Sequence, residues 1–173
     1  MSAITDTHKS EVVNKMAMET LSLGTTVVNG SMCAIGGWLR DGKTNTVEMW
    51  DPRDKSGWNN SSIPSMMKKR CDHSVSSVDD SIFVFGGRFN GIGISHLKLC
   101  ESLDVRSNKW TLISSMPLNR SYHSSIVIGD QILIVAGRPQ TTQIDSYNSI
   151  TDIWSTLEHE LLQSRHAFQA FAL

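Results

Sequence analysis

"SIFVFGGRFNGIG", residues 81–93, sets an apolar run from Ile82 to Phe85 directly against the doublet Gly86-Gly87. The run reads as a buried strand, and glycine weakens strand pairing. A doublet there needs a reason. The same arrangement recurs at fixed distance on both sides. "SMCAIGGWLRDG" (31–42) carries Gly36-Gly37, and "QILIVAGRPQ" (131–140) carries Ala136-Gly137. The three doublets lie 50 residues apart, so the chain is a repeat array.

The residues beyond each doublet repeat as well. "NTVEMWDPRDKSGW", "LCESLDVRSNKW" and "TQIDSYNSITDIW" each hold an acid: Glu48, Glu101 and Asp145. A bulky apolar residue comes two further on (Trp50, Leu103, Tyr147), then a turn residue, then Trp58, Trp110 or Trp154. Beyond the tryptophans, "PSMMKKRCDH" gives Met66, Arg70 and His73, and "SSMPLNRSYH" gives Met116, Arg120 and His123. "LLQSRHAF" gives Arg165 and the adjacent His166, which reads as the third repeat histidine. Each unit holds four short apolar or alternating runs separated by turn residues, and no segment sustains a helical period. Four strands on a period near 50 describe a propeller blade.

In this order, Gly-Gly, acid–x–bulky–turn, Trp, Met-Pro, Arg and His, the chain resembles the kelch repeat over about residues 16–173. The resemblance implies an all-β fold, a partial kelch-type β-propeller of three four-stranded antiparallel blades plus one extra strand. The units span 21–62, 70–114 and 121–158, behind a leader or blade remnant at 1–20. Residues 165–173, "RHAFQAFAL", are expected to form a terminal closing strand. Gly36, Gly37, Gly86, Gly87, Gly137, Trp58, Trp110 and Trp154 are the structural residues of the repeat. The array is imperfect. Ala136 replaces a glycine, Thr20 and Leu23 stand where the first unit needs Arg and His, and the third unit lacks Met-Pro.

Wedge-shaped blades close a ring only in sets of roughly four to eight. Three full units therefore suit the C-terminal part of a larger propeller, or half of an assembly.

Bulk properties narrow the function classes. The chain has 173 residues, 39% hydrophobic and 19% charged, with a net charge of −1. That composition folds, and no field of one sign points to nucleic acid or an anionic membrane. The first fifteen residues lack the apolar core of a signal peptide. Cys33, Cys71 and Cys100 make an odd, unpatterned set, which suits a reducing, cytoplasmic setting.

Candidate chemistry is sparse. No HExxH, G-x-S-x-G or phosphate loop occurs. His73, His123 and His166 recur with the repeat, which points to packing rather than metal ligation. Cys71 lies beside Lys68, Lys69 and Arg70, an environment that could lower a thiol pKa; a bland half-buried thiol is the weightier reading. No cofactor is implied. An enzyme on such a propeller, a copper oxidase or sugar isomerase, would need convergent His, Tyr or carboxylate ligands, and only Tyr122 and Tyr147 are available as tyrosines.

Binding is better supported. The resemblance implies that loops after the second and fourth strands of each blade gather at one end. That end would collect Arg70, Arg88, Asn90, Arg120, Tyr122, Arg138 and Arg165. Guanidinium forks match carboxylates and phosphates, so an acidic or phosphorylated peptide is the expected partner. For Arg70, Arg120 and Arg165 the competing reading is structural: repeat arginines that hold neighbouring carbonyls and carboxylates. The family further implies a non-enzymatic interaction module. Its substrate-receptor role in cullin-based ubiquitin ligases would run through a BTB domain for which 20 residues leave no room. Actin binding is the family's alternative role.

Overall fold

A computed structural model of the chain describes residues 15–16, 19–59, 63–89 and 95–170. Blade 1 comprises β1 (Gly24–Val28), β2 (Ser31–Leu39), β3 (Gly42–Trp50) and β4 (Trp58–Asn59). Blade 2 comprises β5 (Ser74–Val78), β6 (Ser81–Phe85), β7 (Cys100–Asp104) and β8 (Lys109–Ile113). Blade 3 comprises β9 (Ser124–Ile128), β10 (Gln131–Val135), β11 (Ile144–Asn148) and β12 (Ile153–Thr156). Each is an antiparallel meander in chain order, and every pairing is between sequence neighbours. The hairpins arise from turn chemistry. Asn29-Gly30 has φ of 51° and 76°, the left-handed pair that closes β1 to β2 with the right twist. The described residues contain no helix that is long and apolar enough to cross a membrane.

Alternation sends the two sides of each blade to different neighbours. Cys33, Ile35 and Val47 of blade 1 meet Ile82, Val84, Leu103 and Trp110 of blade 2. On the other side of blade 2, Phe83, Phe85 and Cys100 meet Ile132, Ile134 and Tyr147 of blade 3. In this second core, Phe85 stands edge-on to Tyr147 at 5.7 Å, and Trp154 lies 5.0 Å from Tyr147. The tryptophans of blades 2 and 3 also tie back to the blade before. Trp110 Nε1 donates to the Pro64 carbonyl at 2.7 Å, and Trp154 Nε1 donates to that of Ser114 at 2.9 Å.

The glycine doublet is explained by its surroundings. A Cβ on Gly86 would lie 2.5 Å from the Arg120 carbonyl, 2.6 Å from the Met116 methyl and 3.0 Å from the His123 ring. A Cβ on Gly87 would lie 2.7 Å from the Cys71 carbonyl and 2.8 Å from the His73 Cβ. The repeat motif is thus one packing unit. Glycine vacates the space that the next junction's Met, Arg and His fill. Gly36 is hemmed in the same way by His73, Met66 and Arg70.

The inner strands β1, β5 and β9 stand side by side and are stitched by hydroxyls. Thr26 Oγ1 donates to Ser77 Oγ at 3.0 Å, and Ser76 Oγ to Ser125 Oγ at 2.7 Å. Residues 165–170 run past this inner edge without forming a strand. The expected closing strand is therefore absent from its described part. Its one tie to β9 is the Ala170 N–H donating to Ser124 Oγ at 2.9 Å. A strand needs a ladder partner, and 165–170 find none in the three blades.

Candidate binding mouth

One end of the blade stack is built by the linkers that carry the chain from blade to blade. Each linker steps across at its arginine. The Arg70 carbonyl accepts from Gly37 N–H in blade 1, and the following Cys71 pairs with Arg88 in blade 2. The Arg120 carbonyl accepts from Gly87 N–H, and Ser121 pairs with Arg138 in blade 3. Two residues past each arginine, the backbone adopts left-handed φ: Asp72 at 56°, Tyr122 at 53° and Ala167 at 53°, with Ser22 at 53° in the first unit. These four form a ladder around the mouth. Asp72 N–H donates to the Ser22 carbonyl, Tyr122 N–H to Asp72 and Ala167 N–H to Tyr122, at 2.8–3.0 Å.

This alignment corrects the expected third histidine. Ala167 matches Tyr122, so Phe168 takes the place of His123. Phe168 lines the inner cavity beside His73 and His123, whereas His166 opens onto the mouth.

The arginines divide into two groups. Arg70 and Arg120 are fully buried, and neither lines the mouth as a ligand-binding residue would. Arg70 pairs with Glu101 and donates to the Gly86 and Leu99 carbonyls at 2.9 Å. Arg120 pairs with Asp145 at 2.6 Å and donates to the Gln143 carbonyl at 3.0 Å. Their guanidiniums point into the blade because the repeat acid on its third strand waits there. Burial lowers the pKa of both, and the facing carboxylate works against that shift. Arg165 is anchored alike, its carbonyl accepting from Gly137 N–H at 2.8 Å, but its side chain is exposed.

Arg88 and Arg138 do meet at the mouth. With Tyr122, His96, His166 and Ala167 they line a depression of about 320 Å³. Arg88 Nε donates to Asp72 Oδ2 at 2.6 Å, and the guanidinium lies over the Tyr122 ring at 4.9 Å. Burial would lower the Arg88 pKa; the Asp72 hydrogen bond and charge outweigh it, and the net shift is upward. Arg138 is exposed, and its Nη2 lies 2.8 Å from His166 Nε2. A guanidinium only donates, so His166 Nε2 is the acceptor in this contact. His96 Nδ1 lies 2.7 Å from Ser121 Oγ. Burial, then Arg88 and Arg138, lower the His96 pKa. Asn90 lies outside the described residues.

Sequence reading missed His96, Asp72 and the role of His166. Asp72 had a signal in its register, two residues after a repeat arginine and matched to Tyr122. His96 had none, since it lies in a loop that the repeat does not constrain.

The Cys71 environment also differs from expectation. Arg70 turns away toward Glu101, and Cys71 Sγ sits buried 3.0 Å from Asp72 Oδ2. Burial and that carboxylate push the thiol up to about 12, so proximity in sequence to three cations activates nothing. Among the described residues, no group of three or more His, Cys, Asp or Glu could hold a metal ion.

Comparison with known proteins fits this geometry. The Kelch motif model matches residues 69–117. Over 149 residues the chain is 24% identical to a cowpox virus protein called Kelch repeat and BTB domain-containing protein 2, covering 86% of this chain and 26% of that one. It is 30% identical over 113 residues to Kelch-like protein 7 of Rattus norvegicus, covering 64% and 18%. It is 29% identical over 133 residues to Kelch-like protein 15 of Danio rerio, covering 65% and 21%. The chain thus spans 26% or less of the length of these three relatives.

Proposed function

The chain belongs to the kelch repeat family, and from that premise we propose that its mouth grips an acidic or phosphorylated peptide of a partner protein. A kelch module of this kind is a protein-interaction unit. The observation that carries the finer reading is the depression in which Arg88, Arg138 and Tyr122 converge. Arg88 is held rigid by Asp72 and Tyr122, while Arg138 keeps donors toward solvent. A preorganised guanidinium loses little freedom on meeting an oxyanion, and a charge-assisted bond contributes about 1.5–3 kcal/mol.

The module works without chemistry of its own. A role as substrate receptor of a cullin-based ubiquitin ligase would need a BTB domain elsewhere in the protein, and the name of the cowpox relative carries both modules. A cytoplasmic site suits three buried, unpaired cysteines.

Fluorescence anisotropy with labelled peptides of equal length tests the reading: glutamate-rich, phosphoserine-containing and neutral. Anionic peptides should bind, the neutral one should not, and Arg138→Ala should weaken binding about tenfold or more. Equal binding of the neutral peptide, or an indifferent Arg138→Ala, would overturn it. Co-sedimentation with filamentous actin, unaffected by Arg138→Ala, would move the module to the cytoskeletal role.

A further inference from the structure

The residue after each glycine doublet opens onto the mouth end of its blade. It is Trp38 in blade 1, Arg88 in blade 2 and Arg138 in blade 3. The backbone treats the three alike: Trp38 bridges to Leu21 as Arg88 bridges to Cys71 and Arg138 to Ser121. The third strands are in step too. Arg70 N–H donates to the Thr44 carbonyl at 3.1 Å, and Arg120 N–H to that of Leu97 at 2.9 Å. Lys43, just before Thr44, therefore stands where His96 stands in blade 2. Trp38 pairs with Lys43 in register, as Arg88 bridges to His96. Arg88 and His96 line the depression of the mouth. Blade 1 thus presents an indole and an ammonium at the rung where blade 2 presents a guanidinium and an imidazole.

This pair is held on a stiff support. In blade 1 the hairpin continues past the doublet, β2 and β3 running nine residues where β6, β7, β10 and β11 run five. Its base is tied to the linker into blade 2, Asn45 Nδ2 donating to the Met66 carbonyl at 2.7 Å. Lys43 Nζ lies 5.4 Å from the centre of the Trp38 ring. The same lysine faces the mouth. Burial and Asp72 raise the Cys71 pKa, and the charges of Lys43 and Arg88 both oppose them, so the two cations flank one linker residue. Trp38 is 44% exposed. The linker position that sets Tyr122 under Arg88 is Asp72 one blade earlier, and Asp72 is committed to Arg88. A large part of an indole is left open at a rung that its counterparts give to cations.

We propose that Trp38, backed by Lys43, takes an aromatic side chain of the same anionic peptide whose acid or phosphate meets Arg88 and Arg138. Lys43 is drawn to the negative face of the indole and adds positive charge beside it, which complements an acidic chain. Tryptophan and arginine are also the side chains that carry most of the energy at protein interfaces. Neighbouring sheets pack about 10 Å apart, and an extended chain rises about 3.3 Å per residue, so the aromatic residue should lie about two to four positions from the anion. The assignment rests on the peptide reading of the mouth and adds to it the kind of peptide chosen: one with a ring at a set distance from its charge, rather than any acidic chain.

Anisotropy with the 173-residue chain and a panel of labelled peptides, each combining glutamates with one phosphoserine, tests it. One peptide has no aromatic residue; the others replace one alanine by phenylalanine at two, three or four positions to either side of the phosphoserine. At least one phenylalanine peptide should bind about tenfold tighter than the alanine peptide. Trp38→Ala should abolish that advantage and leave the affinity of the alanine peptide unchanged, which also shows that the variant is folded. Trp38→Phe should keep most of the advantage. Equal affinities across the panel, or a Trp38→Ala variant that weakens every peptide alike, would overturn the assignment of Trp38 and leave the peptide reading standing. Binding of no peptide in the panel would overturn the peptide reading, and this assignment with it.

Discussion

Arg120 Nη2 and Asp145 Oδ2 lie 2.6 Å apart with both side chains closed to solvent, and the Arg120 backbone belongs to the blade before. The arginine is a bolt through the junction, anchored on blade 2 and locked into blade 3. Two ions out of water are stabilising only when their remaining donors and acceptors are met. Here the acid is met, Asp145 Oδ1 also accepting from Gln143 at 2.7 Å and Thr156 at 2.7 Å, while Arg120 Nε finds no partner among the described residues.

Removing the cation should therefore be costly. Arg120→Ala leaves a buried carboxylate with neutral donors only. The expected loss is about 3–5 kcal/mol, toward the lower end because Gln143 and Thr156 remain. Urea denaturation should show it as a lowered midpoint. A loss under about 1 kcal/mol would mean that the pair is worth no more than a surface ion pair.

The glycines give a paired test. Gly86 and Gly129 share nearly the same φ, 57° and 61°. A Cβ at Gly86 would strike backbone and side chains of the next linker, while one at Gly129 meets nothing within 4 Å. Gly129→Ala should cost about 1 kcal/mol from conformation alone. Gly86→Ala should cost clearly more, through collision with the Arg120 carbonyl. Equal midpoints in denaturant would show that the doublet is retained for its φ and not for space.

The repeat, its four strands per unit and the glycine doublets were legible because they are periodic; each residue is fixed by a neighbour 50 positions away. The burial of Arg70 and Arg120 was harder to read. An arginine near a loop looks exposed until its acid, 25–31 residues on, is placed in the same blade. The shift of His166 from repeat histidine to mouth was hidden because His166 directly follows Arg165, while the repeat position three residues after the arginine holds Phe168. Asp72 and His96 joined the mouth through loop geometry that leaves no periodic trace.

Acid should unfold the chain through His73 and His123. Both rings are buried, and among the described residues neither ring nitrogen has a partner in good hydrogen-bond geometry. Burial, then the neighbouring guanidinium of Arg70 or Arg120, lowers each to about 3. The unfolded chain titrates near 6.5, so between about 6.5 and 3 it binds protons that the fold refuses. Stability contributed by the neutral rings is complete above 6.5 and is lost as pH falls through that window. At pH 5 each histidine should cost about 2 kcal/mol. A His73→Gln/His123→Gln double variant should flatten the pH dependence of the denaturation midpoint; an unchanged slope would assign the effect to other groups.

The thiols should be inert until the fold opens. Burial raises Cys33 to about 11 and Cys100 to about 12, and Cys71 is raised similarly with help from Asp72. Thiolate is the nucleophile, and at neutral pH almost none forms. Ellman's reagent should find three reactive thiols in denaturant and essentially none in the native chain. Rapid native reaction confined to Cys71 would restore the activated-thiol reading.

Asp72 sets how strongly the mouth attracts anions. It holds Arg88 through two nitrogens and accepts from the Cys71 thiol, so it neutralises part of the field that an acidic peptide would meet. Asp72→Asn removes that charge, and asparagine tolerates the left-handed backbone at φ 56°. The variant should bind an anionic peptide more tightly, and its affinity should fall more steeply with added salt, because one more uncompensated cation takes part. Anisotropy titrations at two ionic strengths measure both effects. If Asp72 instead acts chiefly by orienting Arg88, the variant will bind more weakly at both salt concentrations, and rigidity rather than charge will be the property that the mouth depends on.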